Sequence, residues 1–331
     1  MCPVGFLPLH RTRDVRTTAD YAQSVVAAGR ELRSIWRAER IDVVHAFSLI
    51  SGLYAVAAGL GGTRPLLVHV QDAQPPRKLQ AAALRIVGRR GTRLICVSHA
   101  VEQMLRDVGV PKEKLAIVYN GIESRFFDIG SADGVAVDGA GPHIGLFSHV
   151  IPWKGQDVFL AAAALVARRF PSARFYLVGA TAAGVRSSYV ESLHALAEAP
   201  PLAGLVRFVG PCRDVVPWMN QMDVVVHASV AAEAFGLVIA EGMALGKSVV
   251  ASDCGAPREL VVDGDTGYLA HAGDAHDLAR VLERVLEQRD HEVERRAAAA
   301  ALVRFHPAVF GEELERLYED VLRRPASPGS A

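Results

Sequence analysis

Short runs of β-branched and aliphatic residues alternate with helix-period segments along the chain, in two series separated by one aperiodic stretch. In the first series, residues 41–46 (Ile-Asp-Val-Val-His-Ala), 65–70, 93–97 and 114–119 read as strands buried on both faces. Between and before them apolar residues recur at three and four, as at Tyr21, Val25, Leu32, Ile35 and Trp36. Such alternation predicts a parallel sheet with helices on both faces. The pattern stops at 128–142, a Gly- and Asp-rich stretch without a period, which reads as a linker. It resumes with strands at 143–147, 173–178, 205–209, 223–227 and 248–251, separated by helices that include 155–170, 215–221 and 237–245. The expected fold is α/β, two doubly wound Rossmann-like units joined by a hinge. Its ligand cleft lies between the units or at the carboxyl ends of strands. A last amphipathic helix over 307–323 places Phe310, Leu314, Leu317, Tyr318 and Val321 on one stripe, and 325–331 reads as a frayed end.

Composition narrows the function classes. A length of 331 residues suits about two domains of roughly 150. Lys and Arg number 36, as do Asp and Glu, so no net positive charge argues for nucleic acid. Cys2, Cys96, Cys212 and Cys254 form no Cys-x-x-Cys pair and no metal spacing, which suits a reduced, cytoplasmic chain. The first residues lack a basic segment and are broken by Pro3 and Pro8, unlike a secretory signal. The apolar stretch 46–62 contains Ser48, Ser51 and four glycines, and reads as a buried helix after a strand. No Gly-x-Gly-x-x-Gly follows the first strand of either unit, and Walker A, His-Glu-x-x-His and Gly-x-Ser-x-Gly are absent. The run 292–296 reads as a solvated helix face.

The densest stretch runs from Glu233 to Glu259. Residues 237–245 are helical by pattern, with Gly246 as the stop and a strand following. Gly236 therefore stands at a helix N-terminus, where free amides and the dipole favour an anion such as phosphate. Glu233 precedes that end, and Glu241 lies one turn inside the helix. Two glutamates eight apart are by themselves common.

Their setting is not. Glu233-Ala-Phe-Gly-Leu-Val, then Glu241-Gly-Met-Ala-Leu-Gly and Gly255-Ala-Pro-Arg-Glu-Leu-Val-Val-Asp-Gly-Asp-Thr-Gly-Tyr-Leu, resembles the retaining glycosyltransferases of family 4, which have the GT-B fold. Pro152-Trp-Lys-Gly-Gln-Asp, Tyr119-Asn-Gly-Ile, Val97-Ser-His-Ala-Val and Asp42-Val-Val-His-Ala fit the same resemblance, which covers nearly the whole chain. It implies a nucleotide-sugar donor (UDP-, GDP- or ADP-sugar), a hydroxyl acceptor on a glycolipid, polysaccharide or small molecule, and no metal or other cofactor. It assigns Lys154 to the donor diphosphate, Glu233 to the transferred sugar near its reacting carbon, and Glu241 to the ribose hydroxyls. Phe235, Gly236 and Leu237 would supply backbone donors, and the loop from Val209 to Cys212 would lie against the base. His69, ending a strand, would sit near the transferred sugar, with Asp72 as the adjacent competitor; His45 reads as structural. The location implied is cytoplasmic, with peripheral association at the inner membrane face compatible with a glycolipid acceptor. The oligomeric state is left open.

The chain departs from that pattern in two places. Five residues before the lysine the family has an arginine on the phosphates, and here stands His149, with less charge and a possible pH dependence. The amino end begins near what should be the third strand, so that at about 30 residues per βαβ unit roughly 60 are expected to be missing. A truncated parallel sheet would expose apolar edges, transfer poorly or aggregate. The resulting domain expectation is 1–127 as an incomplete acceptor-side domain, 128–142 as linker and 143–304 as the nucleotide-sugar domain. Residues 305–324 would form a C-terminal helix packing back on the first domain. Two other readings stay open: a catalytically impaired nucleotide-sugar-binding pseudoenzyme, and a sugar-nucleotide epimerase of the same architecture.

Overall fold

The computed structural model describes residues 18–60, 64–74, 76, 78–128 and 135–323. The opening residues with Pro3 and Pro8, positions 129–134 of the expected linker and the end beyond Arg323 lie outside them. The chain forms two compact units. One takes the chain up to Val118 and resumes at Glu312; the other is Tyr119–Gly311. This division differs from the expected boundaries at 127 and 142. Residues 119–128 join the second unit because the Ile122 N–H donates to the Phe305 carbonyl at 2.9 Å, and Gly121 lies against Phe310.

The first unit runs α1 (Thr18–Ala38), β1 (Val44–Ala46), α2 (Leu49–Ala57), β2 (Leu66–Val70), α3 (Lys78–Arg90), β3 (Arg93–Cys96), α4 (His99–Asp107) and β4 (Leu115–Ile117). Its sheet is parallel in the order β1-β2-β3-β4. Strands β2 and β3 are buried throughout, including His69 and Arg93 beside their aliphatic residues. Ser48 and Ser98 cap α2 and α4 by accepting from Ser51 and Val101 N–H groups. The stretch read as a buried helix after a strand is thus α2, and among the described residues no helix is long and apolar enough to cross a membrane.

The second unit runs β5 (His143–Phe147), α5 (Gln156–Arg169), β6 (Arg174–Val178), α6 (Ser187–Glu198), β7 (Val206–Gly210), α7 (Val216–Asn220), β8 (Val224–His227), α8 (Leu237–Ala244), β9 (Ser248–Ser252), α9 (Pro257–Leu260), β10 (Tyr268–Ala270), α10 (Ala275–Glu287) and α11 (His291–Phe305). Its six parallel strands are ordered β10-β9-β8-β5-β6-β7. Ile144, Phe159, Phe175, Val226 and Leu282 belong to one continuous core. On the sheet, α5 packs with α10, and α8 with α11. A final helix, α12 (Pro307–Arg323), continues into the part assigned to the first unit. There Tyr318 OH lies 2.7 Å from His45 Nδ1, and Asp320 accepts from Arg93 at 3.2 Å.

One expectation is corrected. Residues 292–296 are not a solvated face: Val293 and Glu294 are buried. Glu294 accepts from Ser248 Oγ at 2.8 Å and Arg289 Nε at 2.9 Å, and its other oxygen lies 2.8 Å from His291 Nδ1. A carboxylate with that many partners can leave water, which its neighbours in sequence do not reveal.

Candidate active site

From β5 the chain crosses the sheet one way through β6 and β7, then returns to place β8 on the other side of β5. Where connections leave adjacent strands in opposite directions, a crevice opens at the carboxyl ends, the usual ligand position in an open parallel sheet. Here it lies between β5 and β8. The loops that leave these two strands carry Lys154 and Glu233.

Glycine and buried amide chemistry lace the loops together. The turn Pro152–Lys154 ends at Gly155, whose φ is 69°. A Cβ there would stand 2.0 Å from the Ala228 carbonyl oxygen, so glycine is required for the β5 and β8 loops to meet. Val230 N–H donates to the Trp153 carbonyl at 2.9 Å. Gln156, fully buried at the start of α5, donates to Ser148 Oγ at 3.0 Å and to the His149 carbonyl at 2.9 Å. The His149 side chain is exposed.

Lys154 Nζ is ion-paired with Glu233 Oε2 and lies 4.2 Å from the Trp153 ring centroid. The same carboxylate oxygen accepts from Ser229 Oγ at 3.1 Å and lies 3.2 Å from His227 Nε2. Burial alone would raise the Glu233 carboxyl. The hydrogen bond from His227 and the charge of Lys154 outweigh it and hold the group down at about 2. The Glu233 backbone is fixed from β9: its N–H donates to the Cys254 carbonyl at 3.1 Å, and its carbonyl accepts from Ala256 at 3.0 Å.

Beyond Glu233, Phe235 is buried with its ring edge-on to Phe305 at 5.5 Å. Then α8 begins, capped by Gly236 at φ 91° with no side chain accepting from its first amides. Those amides and the dipole make an anion-ready end, with Leu237 exposed beside it. Glu241 sits on the same helix, its carboxyl raised to about 7 by burial and by the charge of Glu123, against the opposing Arg125. At the end of β7, Val209 and Cys212 are half-buried, and the Cys212 thiol donates to the Asp214 carbonyl at 2.7 Å.

The structure thus brings Lys154, Glu233, Gly236 and the His149 loop to one switch point, with Phe235 just before the adjoining helix and Leu237 and Glu241 on it. Val209 lies on β7, two strands from β5, and Cys212 in the loop that follows it. His69 belongs to the first unit and is fully buried. Its ring is stacked 5.4 Å from His45, and burial, then the His45 charge, lower it to about 4. Asp72 accepts from the Gln74 N–H at 3.1 Å, a turn contact. Sequence reasoning passed over His227, Ser229 and Ser252. His227 ends a buried parallel strand, the same signal that singled out His69.

Residues 8–126 match the family described as Glycosyltransferase Family 4, and residues 141–288 match the one described as Glycosyl transferases group 1. A D-inositol 3-phosphate glycosyltransferase of Thermomonospora curvata is 33% identical over 297 residues, 84% of this chain and 65% of that protein. This chain therefore spans just under two thirds of that relative's length. A D-inositol 3-phosphate glycosyltransferase of Frankia alni is 30% identical over 284 residues, 78% of this chain and 69% of the relative. The crystal structure of Anabaena Alr3699/HepE in complex with UDP-glucose superposes with a TM-score of 0.75 at 26% identity, covering 89% of this chain and 82% of that one. With the two parallel-sheet units of a GT-B protein and matches along both, the chain belongs to the family 4 glycosyltransferases.

Proposed function

We propose that the chain transfers a sugar from a nucleoside-diphosphate sugar to an acceptor hydroxyl with retention, and that its second unit holds the donor. The observation that carries this reading is the Lys154–Glu233 pair beside the uncapped N-terminus of α8 at the β5–β8 switch point. In this reading Lys154 exchanges part of its contact with Glu233 for the donor diphosphate, and the Gly236 and Leu237 amides take the remaining phosphate charge. His149 stands on the phosphate side, where the family has arginine. Glu233 faces the transferred sugar near its reacting carbon, Glu241 the ribose, and the Val209–Cys212 loop the base. No step calls on a metal, because Lys154 and the helix end supply the positive charge.

The reaction follows from these roles. The acceptor oxygen forms its bond to the sugar's reacting carbon on the face from which the diphosphate oxygen leaves. The departing diphosphate oxygen takes the acceptor proton. A cytoplasmic location, where the acceptor is a glycolipid at the inner membrane face, belongs to the same proposal. HepE holds UDP-glucose, so UDP-glucose is the first donor to test, and the inositol phosphate named for the relatives is the first acceptor. Calorimetry with UDP, GDP and ADP, then NMR of the product's anomeric carbon, tests the reading. Absence of nucleotide binding, or an inverted anomer, overturns it.

A further inference from the structure

Residues 119–128 lead from β4 into the second unit. The turn Ser124–Phe127 packs against α8, the helix of Glu241. From it Arg125 reaches the loop after β7 and, within its own segment, Glu123. Its Nη1 lies 2.8 Å from Asp214 Oδ1, and its Nε lies 2.9 Å from Glu123 Oε2. Asp214 is itself committed to the loop after β7. Its Oδ1 also accepts from the Val216 N–H at 3.0 Å, starting α7, and its carbonyl accepts from the Cys212 thiol. Half-exposed ion pairs of this kind add little stability. Their consequence is positional: a planar guanidinium fixes two carboxylates in one geometry, which a lysine cannot do.

We infer that Arg125 is a positioning residue of the nucleoside pocket, tying the loop after β7 to the helix that carries Glu241. This rests on the reading of the second unit as the donor site. Besides the turn, α8 touches β8, β9, α9 and α11. The charges that bear on Glu241 are Glu123, which raises it, and Arg125, which lowers it. A carboxylate accepts from two ribose hydroxyls at once, and its protonated form does so less well. Arg125 therefore sets both where the base loop stands and how much of Glu241 is ionised near neutral pH.

The test uses the full chain, UDP as probe, and four variants: R125M, R125K, E123Q and D214N. Two quantities are read, UDP affinity by calorimetry and the Glu241 midpoint by carboxyl carbon NMR without nucleotide. R125M should weaken UDP about five- to tenfold and move the Glu241 midpoint up. E123Q should move that midpoint down. R125K should hold the midpoint near wild type yet still lose affinity, because one ammonium cannot serve both carboxylates. D214N should lose affinity with the midpoint unmoved. A purely structural role would not shift Glu241 in opposite directions for Arg125 and Glu123. Unmoved or parallel midpoints, or wild-type UDP affinity in R125M, overturn the inference. A wild-type chain that binds none of UDP, GDP and ADP overturns the donor-site reading and the pocket role together.

Discussion

Ser252 Oγ lies 3.1 Å from His227 Nδ1, on the opposite side of the ring from Glu233. The ionised Glu233 carboxylate can only accept, so Nε2, 3.2 Å away, carries the hydrogen it receives, and Nδ1 of the neutral ring accepts from the Ser252 hydroxyl. The strand end of β8 thereby holds Glu233 ionised under conditions in which burial alone would protonate it. Lys154 does the same from the β5 loop, so two neighbouring strands converge on one carboxylate oxygen.

His227→Phe should let the Glu233 carboxyl rise from about 2 toward its ordinary value, followed by carboxyl carbon NMR. The sign of the stability change follows. In the wild type the folded-state value lies below the unfolded one, so this group's contribution is complete above about pH 4.5 and is lost as pH falls toward 2. The variant should lose less stability across that window, read from urea midpoints. An equally steep acid limb would refute the role given to His227.

Lys154→Met should raise the dissociation constant for UDP roughly ten- to hundredfold, the weight of one charge-assisted contact. It should also raise the Glu233 carboxyl, because the opposing charge is gone. Calorimetry at two salt concentrations measures the first effect. Unchanged affinity would return the lysine to a structural pairing with Glu233.

Gly255→Ala should damage the site more than the fold. A Cβ at that position would lie 2.4 Å from the Glu233 carbonyl oxygen, and the residue's φ of 83° is strained for alanine. The strand-like contact between Glu233 and Gly255 must open, which moves Glu233 away from Lys154 and His227. The expected outcome is a loss of about 2 kcal/mol in a urea melt with a transfer rate that falls by a larger factor. Rate and stability falling in proportion would contradict it.

β2, β3, β5, β8 and β9 were legible because they are buried on both faces, and near-continuous aliphatic runs between turn residues mark such strands closely; β1 and β4, expected to be buried on both faces as well, are largely half-buried. β5 (His143–Phe147) lies where the sequence placed it. β10 was passed over because Tyr268–Ala270 is three residues long and gives no period. Residues 119–128 fall in the second unit, where they are held by Phe305 and Phe310, partners that no local pattern shows. Lys154 and Glu233 were readable from their motifs. The support beneath them was not, since His227, Ser229 and Ser252 reach Glu233 only after β8 and β9 have been laid side by side.

The amino ends of the same strands carry a second polar network, and it predicts a variant that separates stability from binding. Glu294 bonds Ser248, which begins β9, and Arg289, which also pairs with Asp223 just before β8. Asp223 in turn accepts from the His143 N–H, the start of β5, at 2.8 Å. Three central strands are thus pinned at the end opposite Lys154 and Glu233. Glu294→Ala leaves the buried Ser248 hydroxyl without its acceptor, while the exposed Arg289 keeps its pair with Asp223, which should cost about 1–3 kcal/mol in a urea melt. Glu294→Gln keeps one oxygen as acceptor and should cost less. UDP affinity measured below the unfolding transition should stay within about twofold of wild type for both, because surface-to-surface coupling across a packed sheet is small for sites that share no partner. A large affinity loss in Glu294→Gln at intact stability would show that the two ends of the sheet are not independent.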